Sequence, residues 1–244
     1  MKRLVAAALS VFASCAFVTA AQAQLGDEIV VTGSRLQRYS SDVVPTVALK
    51  RNADFVLVSY QFICDTRDAA QRKKELTKTL QSLIAAADKR KDIDLSTLVE
   101  YDDNYDTLYF PKPYTSVNDD GFYGQPGRLD TSVQRLVIKT PVDGKIKSLE
   151  DAVERIESFV ESVKMEGRTL AVDDNEAQLS VVNVERYRGE LTAAIGADAK
   201  AQGAALNATE TEIEGMEQVV RWERTGPLEL KIYIPYKYAF TIGN

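Results

Sequence analysis

Histidine is absent from all 244 residues, and that absence sets the chemistry open to this chain. A Ser-His-Asp triad, a Cys-His pair, an imidazole metal ligand and imidazole acid–base work all drop out. Carboxylate, lysine and tyrosine chemistry remain, so most familiar hydrolase mechanisms are excluded. Asp102, Asn104 and Asp106 have the D-x-N-x-D spacing that begins a calcium loop. Thr107 stands where that loop needs glycine, and Pro113 where its bidentate glutamate belongs. The stretch therefore reads as a solvated turn or strand edge, and Asp173-Asp174-Asn175-Glu176 reads the same way. With 36 acids in the chain, no pair of carboxylates stands out for glycoside chemistry. There is no Gly-rich phosphate loop and no CxxC. No catalytic residue, cofactor-binding residue or metal ligand can be named, and the expectation is a protein that is not an enzyme and uses no cofactor. A carboxylate-dependent enzyme, the rival, would need two acids converging in a cleft with displaced pKa values.

Aromatic side chains crowd one region instead: Tyr101, Tyr105, Tyr109, Phe110, Tyr114, Phe122 and Tyr123. Rings with polar tips bury area while keeping one wet end, which suits an interface or a ligand surface. A strand with a self-packed loop is the simpler account of them. Cys64 sits in the apolar run FVLVSYQFIC and reads as a small buried hydrophobe.

The chain opens MKRLVAAALSVFASCAFVTAAQA. Lys2 and Arg3 precede an apolar run from about Leu4 to Val18, and Ala21-Gln22-Ala23 is an A-x-A cleavage site. Residues 1–23 are thus expected to be a secretory signal peptide. Cys15 also lies in a loose lipobox, but the apolar run continues past it and the better site follows. Removing Lys2 and Arg3 takes the formal charge from −6 to −8, which argues against nucleic acid or anionic lipid as partner. One cysteine survives processing, so no intrachain disulfide can form. No later stretch approaches the ~20 apolar residues of a membrane span.

Residues 24–46 are polar, without helical period, and read as an extended arm. Ala53 to Asp65 is expected to be a long strand whose Val56, Val58, Tyr60 and Phe62 form the more apolar face. Asp65 or Thr66 should cap a helix with Leu76, Leu80, Leu83, Ile84 and Ala87 inward, and Arg72, Lys73, Lys74 and Lys78 outward. STLVEYDDNYDTLYF should be a strand pair or bulged strand, KPYTSVNDDGFYGQPG a long loop, and TSVQRLVIKTPV a strand. Ser148 opens a second helix striped by Leu149, Ala152, Val153, Ile156, Phe159, Val160 and Val163. RTLAVDDNEAQLSVVNV reads as two short strands around a turn. A third helix starts near Glu185 and packs through Leu191, Ala194, Ile195, Ala199 and Leu206. MEQVVRWER and one long strand, LELKIYIPYKYAFTI, close the chain. The order β-α-β-β-α-β-α-β-β with one-faced helices predicts an α+β fold. Its sheet is mixed and largely antiparallel, with three amphipathic helices mainly on one face.

Two resemblances follow from particular residues. Ala53-Asp54 ahead of a charged helix, then LTAAIGADAKAQGAALN and LELKIYIPYKYAFTI, resemble the SIMPL-domain family. That family includes periplasmic immunogenic and oxidative-stress-related proteins of Gram-negative bacteria. The similarity runs from about residue 47 to 244. Ala197-Asp198-Ala199-Lys200-Ala201 keeps the family's alanine-rich pattern, while Gly203 stands where its next alanine falls and Asn207-Ala208-Thr209 replaces the usual glycine. The resemblance implies a domain that assembles into rings or channel-like oligomers and has no established catalytic residues. Separately, Glu28-Ile29-Val30-Val31-Thr32-Gly33 resembles the TonB box of outer-membrane receptors, and Ser34-Arg35-Leu36 continues as their plugs do. A TonB box adds an extended strand to the edge of TonB's periplasmic sheet. The alternative is an arm that pairs with its own sheet or with a neighbouring subunit.

Together these readings give an exported, non-enzymatic, SIMPL-like protein of the Gram-negative periplasm, either free or associated with the outer membrane, and linked to cell-envelope function or stress response. It is expected to form a homo-oligomer and to dock the TonB C-terminal domain through residues 28–33. Tyr101 to Tyr123 form a candidate interface. The alternative function is a periplasmic small-ligand-binding module that uses the aromatic region 101–123.

Overall fold

The computed structural model describes residues 28–31, 45–103 and 106–243. The leader, Cys15, Thr32 to Leu36, Asn104 and Tyr105 lie outside them. Glu28–Val31 forms β1, Leu49–Asn52 β2 and Phe55–Cys64 β3. β3 is the central strand, and its alternation decides the layers. Val58, Tyr60, Phe62 and Cys64 are buried beneath two helices. Leu57 turns the other way, into a small cluster with Val30 and Val137.

The first helix, α1, runs Ala69–Ala87 and buries Leu76, Leu80, Leu83 and Ala87. Its cap is Asp68, whose side chain accepts from the Gln71 amide, and not Asp65 or Thr66. Those two side chains are committed elsewhere, Asp65 to Arg168 and Thr66 to Glu75. Arg72 also departs from the expected outward row. It is buried, with Nε donating to Ser132 Oγ and Nη1 to the Thr66 carbonyl, so its charge is spent on groups that need donors.

Asp94–Asp103 (β4) and Asp106–Pro113 (β5) are the expected strand pair. Tyr123–Gln125 (β6) and the long Arg128–Pro141 (β7) follow. Helix α2, Leu149–Ser162, starts where the sequence places it. Ser148 accepts from the Asp151 amide while the Asp151 carboxylate accepts from the Ser148 amide, a capping box. Thr169–Val182 is β8, a single strand instead of two. The acidic stretch that mimics a turn is absorbed as a bulge: Val58 faces Ala177 while Tyr60 faces Asp173, so β8 carries extra residues over the same span of β3.

Helix α3, Arg188–Ala205, begins after a tight turn at Val184–Tyr187. It buries Leu191, Ile195, Ala199 and Gly203, whereas Leu206 lies beyond its end and is exposed. A Cβ on Gly203 would sit 2.7 Å from Thr211 Oγ1. The helix approaches the next strand too closely for the alanine that the resemblance would put there. Asn207 takes the left-handed conformation that ends the helix, the task of the missing glycine. Ala208–Glu214 (β9), Arg221–Arg224 (β10), Glu229–Tyr233 (β11) and Lys237–Ile242 (β12) complete the chain. The expected long last strand is divided at Ile234-Pro235-Tyr236. Pro235 has no N–H for a ladder, and the chain changes partners there, β11 pairing with β10 and β2 and β12 with β9.

The large sheet runs β1-β8-β3-β7-β4-β5, with β6 on β7, and every pairing in it is antiparallel. Helices α1 and α2 cover one face. Leu191 and Ile195 of α3 share a second cluster with Val56, Leu179, Val181 and Ile232 on that same face. The fold is therefore α+β, its helices gathered mainly on one side. On the opposite face β5 comes to lie alongside β1, and Leu98 and Tyr109 close over Val30, Leu57 and Val137. Among the described residues no helix is long and apolar enough to cross a membrane.

Candidate strand-docking site

Residues 28–31 are not a free arm. They form the edge strand β1 on β8, in the register Glu28↔Val182, Ile29↔Val181, Val30↔Ser180 and Val31↔Leu179. Four residues of the segment expected to be an arm therefore belong to the large sheet. Alternation explains the docking. Ile29 points into the cluster of Leu179, Val181 and Leu191, and Val30 points the other way against Leu57 and Val137. Both are buried, so this short segment serves two cores at once.

Glu28 begins the strand and is held by charge. Lys139 Nζ donates to its Oε2 at 2.5 Å, and Ser180 Oγ donates to its Oε1 at 2.6 Å. The two charged side chains are only 11% and 14% exposed, so the pair is largely withdrawn from water. Lys139 also lies 4.3 Å from the centroid of the Phe55 ring, which further stabilises the ammonium. The β8 residue opposite Glu28 is fixed as well: Asp54 Oδ2 accepts from the Val182 amide, and Arg186 holds Asp54 in place. Sequence alone singles out neither Lys139 nor Ser180. They stand 111 and 152 residues from Glu28, and no local pattern links them.

Among the described residues the aromatic group is divided between separate clusters. Tyr109 packs in the Val30 cluster, Phe110 in the cluster of α3, and Tyr114 and Phe122 against the α1–α2 core. Tyr123 is exposed. The Tyr101 side chain and Tyr105 lie outside the described residues, as do the side chains of Asp102 and Asp106. Burial pushes the Tyr114 hydroxyl up to about 12. These rings serve separate cores because β4, β5 and the following loop wrap around the sheet edge.

Every carboxylate with a displaced pKa among the described residues is displaced downward. Arg168 lowers Asp65, Arg90 lowers Asp92, Arg155 lowers Asp143, and backbone amides lower Asp151. A general acid at neutral pH requires the opposite shift. Cys64 is buried and donates from Sγ to Glu75 at 3.4 Å. Glu75 ties three elements together, accepting also from Thr66 Oγ1, Gln71 Nε2 and the Arg168 amide. Gly167 is needed beside it, with φ +58 and a would-be Cβ 2.0 Å from the Glu75 carboxyl carbon.

The Thr66 hydroxyl, then Gln71 and Arg168, hold the Glu75 carboxyl down at about 2, against an ordinary 4.5. A lowered folded pKa contributes stability that is full above the unfolded value and lost as pH falls through the folded one. Glu75→Gln is expected to melt below wild type at pH 7, with the gap closing between pH 4.5 and about 2. Thermal melts across that window check this, and a gap constant down to pH 2 would contradict it.

Comparison with family models, with curated proteins and with solved structures finds no match.

Proposed function

We propose that this chain is an exported, non-enzymatic protein of the Gram-negative cell envelope, SIMPL-like from about residue 47 onward. It acts in the periplasm, self-associates, and works by strand pairing through residues 28–33, with the TonB C-terminal domain as partner. The observation that supports this reading is β1 itself. Residues 28–31 of the segment that resembles a TonB box are extended and edge-paired, and strand addition to a partner sheet uses that same conformation. Its pairing within the subunit adds a condition: the side of Glu28–Val31 that is paired with β8 must leave it before another sheet can take that side. Capture of the mature chain by immobilised TonB C-terminal domain tests the proposal. Val31→Pro removes a ladder donor and is expected to reduce capture at least about tenfold. A synthetic peptide of residues 24–36 should compete. Equal capture of wild type and Val31→Pro, with no competition by the peptide, disposes of TonB docking.

A further inference from the structure

We propose that the edge of β8 is a binding site for an extended segment beginning Glu-Ile-Val, and that in the assembled protein a second copy's residues 28–31 fill it. This rests on the self-association proposed above and names the surface responsible. The site reads side chains as well as backbone. Lys139 and Ser180 take the carboxylate at the first position. The Leu179–Val181 cluster takes the second side chain, and Leu57 with Val137 takes the third on the opposite face. The ligand it fits is a strand of acid followed by branched apolar residues. Without such a strand, Lys139 and Ser180 lose the carboxylate they hold.

A second copy is the occupant because, among the described residues, no direct connection ties β1 to its own β8. Residues 32–168 separate the two strands in the chain, and no hairpin joins them. β1 belongs to the large sheet, whereas β2, the next strand in the chain, belongs to the small one. Residues 32–44 lie between β1 and the next described residue, and a segment of that length reaches up to about 45 Å when extended. Contacts made by β1 on its own β8 and on a neighbour's are identical, so connector reach and protein concentration decide between them.

Full-length mature chains test this in a Cys64→Ser background. Ile29 and Val181 face each other directly, and facing Cα atoms in an antiparallel pair fall within disulfide reach. Ile29→Cys and Val181→Cys, carried on separate chains and mixed before oxidation, are expected to give a disulfide-linked heterodimer. The double variant on one chain shows that the strand docks. An internal link in the double variant without any heterodimer from the mixture overturns the proposal. A charge exchange gives a second readout: Glu28→Lys and Lys139→Glu chains place like charges at the site alone but opposite charges when mixed. The mixture should assemble more than either chain by itself, and no gain on mixing also overturns the proposal. Light scattering on wild type separates the two ideas. An oligomer without the heterodimer sinks strand exchange alone, and a monomer at every concentration sinks self-association with it.

Discussion

Replacing Phe62 by alanine is expected to destabilise the protein by about 3–5 kcal/mol, the usual cost of emptying a buried phenylalanine site. Phe62 is fully buried, in the cluster formed by Leu76, Leu80 and Leu83 of α1 and Ile156 and Phe159 of α2. It lies on the central strand, which pairs along its length with both β7 and β8. A cavity there would be lined by two helices and the sheet, none of which can collapse without moving the others. At this chain length the melting temperature should fall by roughly 2–4 °C for each kcal/mol lost. Gln61, the preceding residue, faces the opposite side and is half-buried, so Gln61→Ala should cost less than about 1 kcal/mol. Urea unfolding of the two variants makes the comparison. Equal losses would mean that the faces of β3 have been assigned wrongly.

Lys139→Ala is expected to release β1. Removing one partner of a buried ion pair costs about 3–5 kcal/mol when the other charge stays buried. Here Glu28 has an escape, because β1 is an edge strand and can leave β8 to hydrate its carboxylate. The loss should therefore appear locally. Amide hydrogen exchange at Ile29 and Val31, which face Val181 and Leu179, is expected to speed up by about 100-fold or more, while exchange in β3 changes little. Replacing both charges, as Glu28→Met with Lys139→Met, should restore much of the protection, since no unpaired charge then remains. Unchanged exchange at Ile29 and Val31 in Lys139→Ala would show that the ladder and the two apolar side chains hold the strand alone.

Where sequence and structure agree, the cause is local. Val58, Tyr60 and Phe62 share a face because strand side chains alternate, and that follows from backbone geometry alone. The second helix begins at Ser148 because a hydroxyl and a carboxylate three residues apart satisfy each other's amides. The one-faced helices likewise carry their layer arrangement in their own periodicity.

Where they differ, a distant group has outcompeted the local signal. Asp173 to Glu176 has the composition of a turn, yet β3 supplies a partner on either side and the stretch becomes a bulge. Arg72 follows an outward-facing row, yet Ser132 and the Thr66 carbonyl draw it in. Asp65 is a good cap by type, yet Arg168 occupies it. Tyr109, Phe110, Tyr114 and Phe122 are close in sequence, but the path of the chain over the sheet sends them to different cores.

The candidate site divides in the same way. Glu28-Ile29-Val30-Val31 is legible as a β-competent segment, because branched apolar residues favour an extended backbone wherever they are. Which edge receives it is not legible. That depends on Lys139 and Ser180 meeting one carboxylate, and on two clusters each having room for one side chain. Local preference sets the conformation of a segment, whereas its partner is chosen by which unpaired edge and which buried charge it satisfies, and those exist only once the rest of the chain has folded.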